Sequence, residues 1–166
     1  MNNKIRAVFL DRDGVLNKKP AEHDYVKKIS EFKWNINAKK LVKKINSAGY
    51  VVVVISNQAG IAKGKMSKEF VKRLHTKINR DLDRIGTSIR SFYFCAHHKD
   101  EKCICRKPEP GLFHLAVEEL NIDIKASYMI GDSKTDIEAA MRAGCKNAIL
   151  IESNVIDLDY ILKSIP

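Results

Sequence analysis

Five short apolar runs alternate with stretches of helical periodicity, and this alternation narrows the choice of fold more than any other feature. The runs occupy residues 7–10, 50–55, 91–94, 128–130 and 148–151. They are continuous and rich in β-branched and aromatic residues, which is typical of strands buried on both faces of a parallel sheet. The alternation therefore predicts an α/β domain with a parallel sheet and right-handed crossover connections.

The stretches between the runs predict five helices. The first covers residues 38–48 and ends before Gly49, while Ser67 is placed to cap the second, whose apolar positions continue to Ile85. The other three are predicted over residues 112–120, 137–141 and 155–162, with Gly144 as the stop of the fourth. No linker, repeat or low-complexity segment interrupts the pattern, so we expect one domain over residues 1–166.

The chain is basic, but its charge is a weak guide to function. Its 166 residues carry a formal charge of +10, and the excess lies in residues 1–100, which hold 22 basic and 9 acidic residues. Lysines on outward helix faces usually serve solvation alone, so much of this charge needs no partner. No apolar run approaches the ~20 residues of a membrane span. Residues 1–6 lead into the first strand without an export signal, so we expect a cytoplasmic protein.

Two aspartates and a glycine follow the first apolar run. Asp11 and Asp13 are placed at the carboxyl end of a strand, where open parallel sheets bind their ligands. Two close carboxylates repel each other and need a proton or a cation, and oxygen-only ligands suit Mg²⁺. A carboxylate can also attack phosphorus and so divide a hydrolysis into two steps. The alternative is an ordinary turn, with an aspartate capping the loop and Gly14 at positive φ.

Polar residues at two other strand ends favour a site over a turn. Ser56 and Asn57 end the second run, and place a hydroxyl and an amide at the same edge of the sheet. Asp132 ends the fourth run, and Asp136 follows one helical turn later. Taken alone, Asp136 is also explained as a favourable charge at a helix N-terminus.

Two adjacent cations, Arg106 and Lys107, precede the third predicted helix, where a positive charge can neutralise a phosphoryl group. Four features thus stand in order: D-x-D-G after the first strand, serine after the second, lysine before a later helix, and G-D-x-x-x-D after the fourth. Together they resemble the haloacid dehalogenase superfamily of phosphatases. The segments FLDRDGVLN, DYV, SNQAGIAKG, C-x-H-H…C-x-C-R-K-P and GDSKTD are similar to its heptose bisphosphate and histidinol phosphatase group, over about residues 5–151.

The resemblance implies a three-layer, doubly wound, Rossmann-like sheet without a large cap domain, and hydrolysis through an aspartyl-phosphate. It implies Asp11 as nucleophile, Asp13 as general acid and base, and Lys107 as the cation that neutralises the nucleophile and the transferring group. It also implies that the carboxylates of Asp11 and Asp132 and the backbone carbonyl of Asp13 bind Mg²⁺. The implied phosphate-binding residues are Ser56, Asn57, Arg106 and Lys107. Asp136 is implied to orient the site without binding the metal.

Three residues depart from the pattern of this group. Many members have serine and arginine where this chain has Ala59 and Lys63, and many have lysine where it has Ser133. Lys63 keeps the positive charge but lacks the bidentate fork of arginine. None of the three replaces the nucleophile, so we expect the hydrolytic chemistry to persist and the departures to bear on substrate choice.

Three of the four cysteines lie in one loop together with two histidines. A chain without an export signal is not expected to form disulfides there. Three thiolates and one imidazole are the tetrahedral set that zinc prefers, so the loop at about residues 95–105 predicts a structural Zn²⁺ site. The resemblance implies Cys95, His97, Cys103 and Cys105 as the ligands, in place of His98.

With this resemblance, the leading hypothesis is a Mg²⁺-dependent phosphatase that removes the 7-phosphate of a heptose 1,7-bisphosphate, in nucleotide-heptose and lipopolysaccharide-core synthesis. Histidinol phosphate is the alternative substrate. A polynucleotide 3′-phosphatase would suit the charge, but the sequence lacks interleaved aromatic and basic residues. A zinc-stabilised nucleic-acid-binding module explains the charge and the cysteines, but not the carboxylates beside an anionic ligand. We expect a monomer that binds a small phosphorylated sugar, with no nucleic-acid or membrane partner.

Overall fold

Each of the five apolar runs forms a strand of one parallel sheet in the computed structural model, which describes residues 4–165. Residues 1–3 and 166 lie outside the described residues. The one-domain prediction includes all four of them, and the export-signal prediction includes residues 1–3. The strands are β1 (Ala7–Leu10), β2 (Val51–Asn57), β3 (Ser91–Cys95), β4 (Tyr128–Gly131) and β5 (Asn147–Leu150). The predicted α/β class with a parallel sheet is confirmed.

The strand order places two predicted site residues side by side. The order across the sheet is β3-β2-β1-β4-β5, so β1 is central and the direction of winding reverses between β1 and β4. Leu10, the last residue of β1, pairs with Val54 of β2 and Ile130 of β4. Asp11 and Asp132 therefore leave the sheet at the reversal point, where doubly wound sheets bind their ligands.

Helices cover both faces of the sheet, which gives the predicted three layers. They are α1 (Ala38–Ser47), α2 (Lys68–Asp83), α3 (Gly111–Leu120), α4 (Lys134–Ala143) and α5 (Leu158–Lys163). Helices α1, α2 and α5 pack on one face, and α3 and α4 pack on the other. The predicted cap of α2 is confirmed, since the Ser67 hydroxyl accepts a hydrogen bond from the Phe70 N–H at 3.0 Å. Within residues 4–165, every helix is too short or too polar to span a bilayer.

Three details of the predicted helices are wrong. Helix α2 ends two residues before Ile85, which lies in the following turn and is 37% exposed. Helix α5 begins after Val155, because the Asp157 side chain caps its first turn. Helix α4 covers Lys134–Ala143 and so begins three residues before Ile137, because the Ser133 side chain caps its first turn.

A histidine in the core makes the stability of the fold depend on pH. His75 of α2 stacks on Phe92 of β3, with ring centroids 4.4 Å apart, and only 6% of the residue is exposed. Burial, helped by the charge of Arg12, lowers its pKa from 6.5 to about 3. Below pH 6.5 the unfolded chain therefore binds a proton that the folded chain does not bind, and the free energy of unfolding falls.

We expect the free energy of unfolding of the wild type to fall, relative to a His75→Phe variant, by roughly 1.4 kcal/mol for each pH unit between about pH 6 and pH 4. The reason is that phenylalanine keeps the ring stacking but does not titrate. Urea denaturation of both proteins over this range measures the difference. A difference that stays constant with pH would contradict the assignment of a neutral, buried His75.

Candidate active site

A cavity of about 730 Å³ opens at the carboxyl edge of the sheet. It gathers side chains from the ends of β1, β2 and β4 and from the loop before α3. The predicted site residues on its wall are Asp11, Asp13, Asn57, Arg106, Lys107, Asp132 and Asp136. Ser56 lies just beneath and is 1% exposed. The topology thus brings the separated sequence motifs to one place.

Lys107 is buried under the cavity and joins two carboxylates. Its Nζ lies 2.8 Å from Asp11 Oδ1 and 2.6 Å from Asp136 Oδ1, and donates to the backbone oxygen of Ile55 at 2.7 Å. Burial raises the pKa of Asp11 to about 7, Lys107 opposes this rise, and the charges of Asp136 and Asp13 add to it. One ammonium shared by two carboxylates leaves this part of the site short of positive charge.

Asp132 is held through one of its two oxygens. Its Oδ2 lies 2.7 Å from Nζ of Lys19 and accepts a hydrogen bond from the Ser153 hydroxyl at 2.5 Å. The same oxygen packs against Gly14, where a Cβ would approach it to 2.1 Å and where φ is +94°, so only glycine fits. Oδ1 of Asp132 and Oδ2 of Asp11 accept no hydrogen bond from residues 4–165.

The open oxygens fit a hard divalent cation. Asp11, Asp132 and Asp136 each offer a carboxylate oxygen, and the three oxygens lie within 4.8 Å of one another. Oxygen donors at this spacing suit Mg²⁺. Asp136 is the least available of the three, because its Oδ1 binds Lys107 and its Oδ2 accepts the Ser133 N–H at 3.1 Å. The residues able to hold Mg²⁺ are thus Asp11 and Asp132, with Asp136 in support.

A buried polar network fixes the Asp13 carboxylate. Arg12 is fully buried, and its Nη2 donates to both oxygens of Asp13 and to Oε1 of Gln58. Asn17 and Gln58 each donate a further hydrogen bond to Asp13, at 2.9 Å. Burial acts to raise the pKa of Asp13, but the Arg12 charge and these hydrogen bonds outweigh it and lower the pKa. Asp13 is therefore ionised in the free protein.

Arg12, Asn17 and Gln58 had no role predicted from the sequence. Arg12 separates the two aspartates, so in an extended chain it points away from them and into the interior. A charged residue at such a position needs a buried partner. That signal was available in the sequence, whereas the identity of the partners depends on the path of the loop.

The two residues that end β2, Ser56 and Asn57, bind different partners. Both polar atoms of the Asn57 amide bind the backbone of Lys107, since Oδ1 accepts the Lys107 N–H at 3.0 Å and Nδ2 donates to the Lys107 carbonyl at 3.1 Å. Asn57 thus positions Lys107. The Ser56 hydroxyl accepts a hydrogen bond from Gln58 Nε2 at 2.6 Å, which leaves its own O–H to donate.

Cations without an ion pair lie on the wall of the cavity. Among the described residues, neither Lys63 nor Lys99 nor Arg106 is paired with a carboxylate. Lys63 Nζ lies 5.6 Å from the ring centroid of Tyr25, and Arg106 Nη1 donates to the backbone oxygen of His97 at 3.5 Å. An anion in the cavity would therefore meet positive charge beside the carboxylate cluster.

The cysteine loop closes into a compact cluster beside the cavity. Sγ of Cys105 lies 3.1 Å from Sγ of Cys95, 3.5 Å from Sγ of Cys103 and 3.1 Å from Nδ1 of His97. Tetrahedral zinc with Zn–S bonds of about 2.3 Å places its sulfur ligands ~3.8 Å apart, so the donors are gathered as closely as zinc requires. His98 is not in the cluster and lies 3.0 Å from Asp100.

Comparison with known proteins identifies the class. Residues 104–164 match the family described as HAD-hydrolase-like, and the relatives below extend the likeness over most of the chain. The chain belongs to the haloacid dehalogenase-like hydrolases.

Within that family, the chain is similar to heptose bisphosphate phosphatases. It is 38% identical over 159 residues to D-glycero-alpha-D-manno-heptose-1,7-bisphosphate 7-phosphatase of Photorhabdus laumondii, covering 92% of this chain and 85% of the relative. It is 38% identical over 155 residues to D-glycero-beta-D-manno-heptose-1,7-bisphosphate 7-phosphatase of Haemophilus ducreyi, covering 89% of this chain and 84% of the relative.

A solved structure shares the whole architecture. The D,D-heptose 1,7-bisphosphate phosphatase from B. bronchiseptica, crystallised with magnesium and phosphate, superposes with a TM-score of 0.84 at 25% identity. The match covers 96% of this chain and 99% of that chain. The predicted haloacid dehalogenase-like fold is thereby confirmed.

Proposed function

We propose that this chain is a Mg²⁺-dependent phosphatase that removes the 7-phosphate of D-glycero-D-manno-heptose 1,7-bisphosphate through an aspartyl-phosphate at Asp11. The observation that carries the proposal is the Asp11 carboxylate, which lies on the cavity wall beside buried Lys107 and keeps one oxygen open. The names of the most similar relatives supply the substrate. The chain then acts as one domain, as a monomer, in the cytoplasm, in nucleotide-heptose and lipopolysaccharide-core synthesis.

In the first step, Asp11 attacks the phosphorus of the C7 phosphate and the bond from phosphorus to the sugar oxygen breaks. The arriving anionic phosphate raises the pKa of Asp13, so this residue takes up a proton and gives it to the leaving sugar oxygen. Lys107 balances the charge of Asp11 and of the phosphoryl group as it transfers. When bound, Mg²⁺ would keep Asp11 ionised and neutralise charge on the phosphoryl oxygens.

In the second step, water hydrolyses the aspartyl-phosphate. Asp13, again ionised, accepts a proton from the attacking water, and its hydrogen bonds to Arg12, Asn17 and Gln58 hold its carboxylate in place. The phosphate then leaves and Asp11 is restored. Asp13 is ionised in the free protein, as a general base has to be before it accepts a proton.

Phosphate binding falls to groups around the nucleophile. Ser56 offers its hydroxyl, and Asn57 acts by holding Lys107 in place. Arg106, Lys63 and Lys99 line the same cavity, where they would meet the second phosphate of the substrate. The unpaired cations on the wall favour a bisphosphate over a monophosphate such as histidinol phosphate.

The cysteine cluster holds a structural Zn²⁺ in this proposal. Cys95, His97, Cys103 and Cys105 fill all four positions of a tetrahedral ion, so the site leaves none for a substrate. Arg106 and Lys107 follow Cys105 directly in the chain. Closing the loop on zinc therefore fixes the position of both cations.

A Cys105→Ser variant is expected to lose its zinc and to lower kcat/KM by about 10- to 100-fold, because Arg106 and Lys107 are misplaced. Zinc content by atomic absorption and phosphate release with Mg²⁺ measure the two effects. Cys145→Ser is the matched control, since this buried cysteine lies outside the cluster and should keep the zinc. Normal turnover in zinc-free Cys105→Ser would contradict the positioning role.

The substrate is tested by phosphate release with Mg²⁺ from both anomers of the heptose bisphosphate, from histidinol phosphate and from a 3′-phosphorylated oligonucleotide. We expect the highest kcat/KM with a heptose bisphosphate and no release in EDTA. A clear preference for histidinol phosphate or for the oligonucleotide would overturn the substrate assignment.

A further inference from the structure

The loop after β1 brings a second ammonium to the carboxylate cluster. Lys19 Nζ lies 2.7 Å from Oδ2 of Asp132, and Lys19 lines the same cavity as Asp11 and Lys107. Lys19 takes no part in either step of the proposed reaction. Its side chain is 45% exposed, whereas the Asp132 side chain is 1% exposed, so Lys19 is the solvent-exposed member of the pair.

The backbone of Lys19 is anchored independently of its ammonium. The Lys19 N–H donates to Oδ1 of Asn154 at 2.6 Å, and the Asn154 N–H donates to the carbonyl of Gly14 at 2.8 Å. Ser153, the residue before Asn154, also holds Asp132 through Oδ2. The ammonium can therefore leave Asp132 without releasing the loop or the carboxylate.

The ion pair between Lys19 and Asp132 changes the net charge of the carboxylate cluster. Asp11, Asp132 and Asp136 carry three negative charges when ionised, and buried Lys107 pairs with Asp11 and Asp136. Lys19 is the second cation that offsets this cluster, since Arg12 is committed to Asp13. An ammonium on Asp132 lowers the negative potential that attracts a divalent ion to the open oxygens of Asp11 and Asp132.

We propose that Lys19 is a tethered counter-ion that sets the Mg²⁺ affinity of the site. It neutralises Asp132 while the site is free of metal, and its positive charge opposes Mg²⁺ binding. The inference rests on the Mg²⁺ site of the proposed function. It predicts that the ammonium stabilises the metal-free protein and weakens its hold on the metal.

The test is calorimetric titration of the purified protein with Mg²⁺ alone. Lys19→Met removes the charge but keeps the length of the side chain, and we expect it to bind Mg²⁺ about tenfold more tightly than the wild type. Lys19→Arg keeps the charge and should bind like the wild type. Lys18→Met is the matched control, because exposed Lys18 is the neighbouring lysine and does not line the cavity.

Thermal unfolding gives a second readout that does not need turnover. Without metal, Lys19→Met should melt below the wild type, and saturating Mg²⁺ should raise its Tm by more than it raises that of the wild type. Equal or weaker Mg²⁺ binding by Lys19→Met would overturn the inference while leaving the Mg²⁺ site in place. Absence of Mg²⁺ binding by the wild type would instead overturn the proposed function.

Discussion

Replacing Asp11 by asparagine is expected to lower kcat/KM for the heptose bisphosphate by roughly 10⁴-fold or more, because an amide cannot form the acyl-phosphate. The chain should stay folded. Lys107 keeps its contacts to Asp136 and to the carbonyl of Ile55, and asparagine matches aspartate in shape. Phosphate release at saturating Mg²⁺, together with thermal unfolding, measures both expectations.

The control for Asp11→Asn is Asp159→Asn, which changes an exposed carboxylate of α5 outside the cavity. Activity within about twofold of the wild type is expected there, because surface substitutions away from a site have small effects. Asp11→Asn protein that keeps a tenth or more of the wild-type kcat/KM would remove Asp11 from the role of nucleophile.

Lys107→Met is expected to lower both stability and turnover. Removing the ammonium leaves the buried carboxylates of Asp11 and Asp136 without a counter-charge, at a cost of roughly 3–5 kcal/mol in the free energy of unfolding. It also removes charge compensation from the transferring phosphoryl group, which should lower kcat/KM by about 10³-fold. Urea denaturation and phosphate release measure the two losses.

A double variant separates the two effects of Lys107. Asp136→Asn combined with Lys107→Met removes one of the two stranded charges, and its amide oxygen can still accept the Ser133 N–H. We expect the double variant to regain part of the lost stability but none of the lost activity. Recovery of turnover together with stability would show that Lys107 acts through folding alone.

The positions of the main site residues could be predicted because they follow from the sheet. Asp11 and Asp132 end neighbouring parallel strands, and polar residues at such ends must meet at one edge. The Ser67 cap and the Gly144 stop are local signals and were equally accessible. Lys107 lies on a loop, and its role came from the resemblance, because the sheet pattern alone does not place a loop residue under the nucleophile.

The contacts that the sequence did not predict depend on loop paths. Lys19 and Ser153 are far apart in the sequence and belong to no periodic stretch, yet both bind Oδ2 of Asp132. Ile85 continues the apolar pattern of α2, yet it lies in the turn after the helix and is 37% exposed. In both cases tertiary packing decides what residue type alone cannot.

If the C7 phosphate passes to Asp11, a single-turnover experiment should catch the phosphorylated residue. Enzyme in excess is mixed with Mg²⁺ and heptose bisphosphate labelled at the C7 phosphate, quenched in acid, and mapped by peptide mass spectrometry. We expect label on the peptide that contains Asp11, and none on the Asp11→Asn protein. Complete release of the phosphate with no label on the protein at any time, or label on another residue, would contradict this expectation.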